Sequence, residues 1–474
     1  MSHPEEVDDD LLDLEDAAEE IENSADDIAM DSDAEDEGGE EDEDEEVLLQ
    51  NDSIAYFDLP PDSLFTIAQH PVHPSLVAVG GSAGPQEDAP GAGWLLDTSA
   101  AASRPVLPAS YASNPAETPK STQLDSLFAL EGHTDSINTL AWTLPRGEFL
   151  VSGGLDGRVK VWKADTRPGA VEMTPVGDAQ EVEEVNWISP CPSPNHQNTV
   201  ALGASDGSVW VYTIDASDAS NPLQIVQSYF LHTAPCTAGA WTPDGHLLAT
   251  VSEDSSLYVW DVWGDAAARN VTGENGMTVV SLTGEDQRFE VDGGLYSIVI
   301  DPKGSFVATG GAGGAVKVVS LPRLSAADAT AGGQILASLH TQGDSVESLA
   351  VSLTATTPPT TLLAAGSVDG SICVYDAARR FAVRRHIAAA HEDHSVVRLE
   401  FVKNTWLLTS CGMDGVVRRW DLRSGGATDR GLVNEWKGHR GGGEGGGVMG
   451  FVQGETGERV VTAGDDGVVL VFEA

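Results

Sequence analysis

The stretch SGGLDGRVKVW at 152–162 returns six more times in altered form. It reads LGASDGSVWVY at 202–212, TVSEDSSLYVW at 250–260, TGGAGGAVKVV at 309–319, AGSVDGSICVY at 365–375, SCGMDGVVRRW at 410–420 and TAGDDGVVLVF at 462–472. Each copy passes from small residues through an Asp-Gly turn, or a near equivalent, into alternating apolar residues that mostly end on an aromatic. A spacing of roughly 40–60 residues is that of four-stranded propeller blades. An eighth, degenerate copy spans 63–98, its turn enlarged by an insertion carrying Pro85 and Pro90. A second apolar strand precedes most copies, as in SINTLAWTLPRGEFLVSGG and CTAGAWTPDGHLLATVS. The expected fold is all-β, an eight-bladed propeller over 53–474.

The repeated Asp has a structural task. In the copy around 132–162, Gly132-His133 precedes the first inner strand, Asp156 makes the turn and Trp162 ends the third strand. His232, Asp254 and Trp260 fit the same places, as do His439 and Asp466 with Phe472 in place of Trp. These repeats resemble the WD-repeat family, in which such His, Asp and Trp side chains join a strand hydroxyl in a hydrogen-bonded cluster inside each blade. Buried polar groups need partners, which is why they recur together. A catalytic His-Asp pair would occur once; recurrence at matched positions marks scaffold.

Ring closure is also legible. The last copy runs out after its third strand, and Ile54–Leu59 (IAYFDL) supplies a spare strand that can complete its blade and remove an exposed edge. Two irregular segments are expected to be flexible: 99–126, rich in Ala, Ser, Pro and Thr, between the first and second blades, and the Gly run 441–447 before the last blade. Ahead of the ring, residues 1–52 contain 26 Asp or Glu and no Lys or Arg, and Glu40–Glu46 is wholly acidic. Such a segment lacks the apolar surface to offset the entropy of folding, so the expectation is a disordered acidic N-terminal tail.

Charge narrows the partners. The chain's formal net charge is −50. Removing the tail's 26 acids from the total of 75 leaves 49 against 25 bases, so 53–474 still carries −24. Both parts repel nucleic acid and anionic membrane and attract cations, so neither direct nucleic-acid nor membrane binding is expected. Cys191, Cys236, Cys373 and Cys411 have no metal-like spacing, and three lie in strand-like segments where a thiol acts as a small apolar residue. No phosphate loop, zinc pattern, nucleophile elbow or paired catalytic carboxylates occurs in a fitting context. The expectation is a binding protein with no catalytic residues, no metal and no cofactor. Without a signal peptide or membrane span it should be intracellular, in the cytoplasm with the nucleus also open, and monomeric.

A closer resemblance lies in the later blades. SVESLAV (345–351), LLAAGSVDGSICVYDA (362–377) and LLTSCGMDGVVRRWDLRSG (407–425), with VALGASDGSVWVYTI (200–214) and the acidic tail, resemble the angio-associated migratory cell protein family. Its fungal member is the dedicated chaperone of a large-subunit ribosomal protein, L-ten in the older naming. The resemblance implies capture of that client's basic N-terminal segment on the acidic ring and its delivery for 60S assembly. Ribosomal proteins carry dense Lys and Arg meant for RNA phosphate, and an acidic ring substitutes for that RNA. Loops entering the first strands and turns at the repeated Asp share one face, which offers Asp135, Glu181, Glu183, Glu253, Asp292, Asp344, Glu347, Asp393 and Asp465 as partner-binding residues. Trp210 and Tyr296 are candidates to stack on guanidinium groups, although packing would use them equally. Other readings stay open: a signalling scaffold, a histone-tail binder, or a cullin ubiquitin-ligase substrate receptor docking through Trp420-Asp421-Leu422-Arg423.

Overall fold

In a computed structural model the described residues are 50–474, apart from 87–88, 102–120, 168–169, 325–331, 424–430 and 442–444. The expectations for the tail at 1–49 and for most of the 99–126 excursion lie outside them. Eight antiparallel sheets follow one another along the chain and close into a propeller. Blade 2 shows the plan: Ile137–Trp142 innermost, then Phe149–Gly154, Arg158–Arg167 and Ala170–Gln180 at the outer edge. The degenerate copy builds blade 1 from Leu64–Gln69, Leu76–Ser82, Gly91–Asp97 and Ser126–Leu130. Among the described residues no helix is long and apolar enough to cross a membrane.

Burial explains the sequence texture. Second strands such as Phe149–Gly154 and Leu247–Ser252 are buried at every position, so they read as unbroken apolar and small residues. Outer strands such as Ile335–His340 alternate between half-buried and exposed, because only one face meets the blade. Eight hydrophobic clusters result, each drawn from two adjacent blades, so every junction of the ring has its own core.

Closure follows the expected route. Ala55–Phe57 pairs antiparallel with Val469–Glu473 as the fourth strand of blade 8, with Ala55 opposite Val471 and Phe57 opposite Val469. Ile54, Ala55 and Phe57 share one core with Leu64, Val77 and Leu96 of blade 1. The expected 99–126 excursion falls not between the first and second blades but inside blade 1, between its third strand and its outer strand Ser126–Leu130, and its described ends are ordered. Thr98–Ala100 forms a 3-10 turn, and Thr122–Gln123 adds a fifth, parallel strand outside Ala55–Phe57. Within the Gly run, Gly441 N donates to Gly446 O at 3.0 Å, and Gly441 packs on Gly415.

All four cysteines are free and buried. Burial pushes the Cys191 thiol up to about 11 and that of Cys411 up to about 12, so both stay protonated and behave as apolar packing.

The recurrent His-Asp sets are scaffold in geometry too. His133 Nδ1 lies 3.0 Å from Asp156 and its Nε2 lies 2.7 Å from Ser152 Oγ, while His439 spans Asp466 and Thr462 in the same way. In blade 4, Ser256 comes between: His232 Nδ1 meets Ser256 Oγ at 2.6 Å, Nε2 meets Thr250, and Trp260 Nε1 donates to Thr250. Blade 7 holds a set the sequence reading passed over, with His391 bridging Asp414 (2.9 Å) and Ser410 (2.8 Å), and Trp420 Nε1 donating to Ser410.

Burial opposes the charged Asp414 carboxylate, but hydrogen bonds from His391 and Arg418 hold it down to about 2. A depressed carboxyl contributes stability that is present above its unfolded value of about 3.9 and is lost as pH falls through the folded value. Asp414→Asn should therefore cost on the order of 2 kcal/mol at pH 7, a gap that closes as pH drops from about 4 toward about 2. Urea midpoints of both proteins at pH 7 and pH 3 measure it; an unchanged gap at pH 3 would contradict the assignment.

Candidate functional site: one acidic end of the ring

Antiparallel order fixes which loops share a face. In every blade the innermost strand starts, and the second strand ends, at the same end of the ring. The loop entering the first strand and the turn at the repeated Asp therefore meet there. Gly157 shows how closely: at φ +71° its missing Cβ would lie 2.0 Å from Val182 O, so the blade 2 turn rests on the loop entering blade 3. Gly370 rests on Glu392 in the same way, 2.2 Å from its carbonyl. Only glycine permits that approach in the left-handed region.

All nine proposed partner-binding residues come to this end. Asp135, Glu181, Glu183, Asp292, Asp344 and Asp393 stand in loops that enter innermost strands, and Glu253 and Asp465 in the Asp turns. Glu347 is the second residue of the innermost strand Val346–Leu353. Seven are exposed, while Asp135 and Asp465 are half-buried. Asp135 and Asp344 each accept from the next backbone N–H, at 2.6 and 2.7 Å, which spends part of their capacity locally.

Charge is concentrated here. Burial raises the Glu347 carboxyl above its ordinary range, and Asp344 beside it pushes the same way. Burial also raises the Tyr296 phenol, with Glu253 and Glu347 both adding to the effect. Glu253 and Glu347, from blades 4 and 6, thus both act electrostatically on Tyr296 of blade 5. A carboxylate raised by a like charge gains from a cation placed beside it.

Tyr296 also donates its hydroxyl to Gly293 O at 2.6 Å, and its ring remains partly exposed. Trp210 is used differently: it donates to Ser208 Oγ and meets the Phe230 ring edge-on at 5.7 Å, as part of blade 3 packing. Sequence reasoning did not single out Glu184 and Glu392, both exposed on this end, or the exposed Leu155, Phe230 and Leu231 in the same loops. Acidic neighbours of the chosen residues were a usable signal for the first two. Nothing in a single sequence distinguishes an exposed loop leucine from a buried one.

Asp52 accepts from Lys437 N (3.0 Å) and returns its own N–H to Lys437 O (2.8 Å), which ties the chain ahead of the closing strand to the segment that follows the outer strand of blade 7. Arg423 lies at the opposite end, its guanidinium held by Asp421 at 2.6–3.1 Å.

Comparison with known proteins agrees with this architecture. The model for the WD domain, G-beta repeat, matches 124–163, 223–261 and 333–376. The solved structure of Chaetomium thermophilum Sqt1 bound to the N-terminus of the ribosomal protein L10 is 58% identical at TM-score 0.79, covering 90% of this chain and 100% of that one. Ribosome assembly protein SQT1 of Saccharomyces cerevisiae is 28% identical over 94% of this chain and 93% of its own length. Human angio-associated migratory cell protein is 24% identical over 73% and 69% respectively. An uncharacterized WD repeat-containing protein of Schizosaccharomyces pombe is 33% identical, the match spanning 55% of its length.

Proposed function

We propose, from the premise that this chain belongs to the WD-repeat family of Sqt1 and the angio-associated migratory cell protein, that it is a dedicated chaperone of ribosomal protein L10. It captures the basic N-terminal segment of that client on the acidic end of the ring and hands the client over during large-subunit assembly. The observation that carries the reading is the gathering of nine carboxylates from seven blades on one face, with Glu253 and Glu347 both acting electrostatically on Tyr296. A segment dense in Lys and Arg gains there the neutralisation that RNA phosphate later provides. The handover is then an exchange of one polyanion for another, with no chemical step and no cofactor. The reading implies a cytoplasmic site of action, where new client chains appear.

Calorimetric titration of the full chain with a synthetic L10 N-terminal peptide tests the proposal. Submicromolar binding that weakens steeply with salt is expected, with a histone-tail peptide of equal charge at least tenfold weaker. Equal affinity for both peptides would mark a general polycation binder and sink the dedicated-client reading.

A further inference from the structure

The acidic end has a second, apolar component at the mouth of the central channel. Every innermost strand carries a register shift at its second residue. A bulge re-aims the side chain it displaces, so eight bulged residues ring the mouth: Phe65, Asn138, Asn186, Thr237, Tyr296, Glu347, Val397 and Met449. None is fully buried.

The two halves of the ring differ. On the side of blades 2–5 the polar groups are engaged within the protein. Asn138 Nδ2 donates to Val185 O and Asn186 O, Asn186 Nδ2 donates to Cys236 O at 3.1 Å, Thr237 Oγ1 donates to Leu295 O at 2.7 Å, and Tyr296 is tied to Gly293. On the side of blades 7, 8 and 1, Val397, Met449 and Phe65 follow one another on innermost strands that touch. Val397 leans on the core between blades 7 and 8. Arg398, one residue beyond Val397, is paired with Glu400 at 3.7 Å and lies over the Phe451 ring, so it is engaged within the protein.

We infer that the apolar arc Phe65–Val397–Met449 receives an aliphatic or aromatic side chain of the same cationic segment that the surrounding carboxylates bind. The inference rests on the proposed chaperone reading and adds to it the sequence class of the segment: cations interrupted by an apolar residue, not a plain polycation. Charge complementarity fixes the occupant, because the arc lies inside a ring of carboxylates and only a chain rich in cations gains by entering it. The arc supplies selectivity between equally charged chains, which the outer carboxylates alone lack.

A double-mutant cycle tests this on the full chain, with Phe65, Val397 and Met449 all changed to Asn, which leaves the charge unaltered. The probes are the L10 N-terminal peptide, an analogue with its aliphatic and aromatic residues replaced by Ser and every Lys and Arg kept, and an oligo-arginine of equal charge. The wild type should bind the Ser analogue about tenfold more weakly than the parent peptide, and the triple variant should bind the two alike. Oligo-arginine should bind both proteins equally, which shows that the variant is folded and its acidic face intact. Equal binding of parent and Ser analogue by the wild type overturns the inference while leaving the chaperone reading standing. A variant that still discriminates between them, or that differs only in self-association, overturns it too. Failure of the wild type to bind any of the three peptides would remove the chaperone reading itself.

Discussion

Removing residues 1–59 is expected to leave a ring that aggregates, or that melts about 10 °C lower, whereas removing residues 1–49 changes the melting temperature by only about 2 °C. The difference comes from three residues. Ile54 is 4% exposed and Ala55 and Phe57 are fully buried, inside the one core that joins the last blade to the first. Losing a fully buried phenylalanine costs about 3–5 kcal/mol and an isoleucine about 2–5. Together they approach the whole stability of an ordinary domain, about 5–15 kcal/mol.

Backbone pairing adds to this. Without Ala55–Phe57, the strand Val469–Glu473 keeps a partner on one side only, and Thr122–Gln123 loses the strand it lies against. Leu59 is 61% exposed and contributes nothing comparable. Phe57→Ala alone should therefore reproduce a large part of the loss. Differential scanning calorimetry of the two truncations and of that variant decides the matter: equal melting of the truncations would mean that the closing strand is dispensable.

The blade repeat was legible because its causes are local. An Asp-Gly turn needs a left-handed residue, and the strands around it must pack on both faces, so the pattern recurs wherever a blade does. The His391–Asp414 set could have been read as well, since its separation of 23 residues equals that of His133 and Asp156. It was missed because His391 lies in a loop without the Gly-His pair that announces His133 and His439. The bulge ring was not legible at all. A register shift is decided between two strands, and Asn138, Phe65 and Met449 share no residue type that would mark them. Nor does a sequence reveal that Glu253 and Glu347 act on Tyr296 while Glu181 acts on the buried Tyr212.

Reversing Glu253 and Glu347 together to Lys is therefore expected to weaken capture of the L10 peptide at least 100-fold, chiefly by faster dissociation. Both carboxylates act on Tyr296, and burial together with Asp344 already raises the Glu347 carboxyl in the free protein. A bound guanidinium paired with Glu347 would be partly desolvated by its surroundings, and breaking such a pair costs about 2–5 kcal/mol, expressed mostly in the dissociation rate. Reversing Glu181 and Glu183, both fully solvent-facing, should act mainly on association and should fade with salt. Removing residues 1–49 should behave like the second pair. It deletes 25 carboxylates ahead of Asp52, which bonds the backbone of Lys437. Their attraction reaches about 8 Å at physiological salt and about 3 Å at 1 M, so they raise the frequency of encounter without holding the bound client. Stopped-flow association and dissociation rates across a salt series separate the three changes. Should the Glu253/Glu347 reversal leave dissociation untouched while tail removal abolishes binding at every salt concentration, the client is held by the tail and not by the ring.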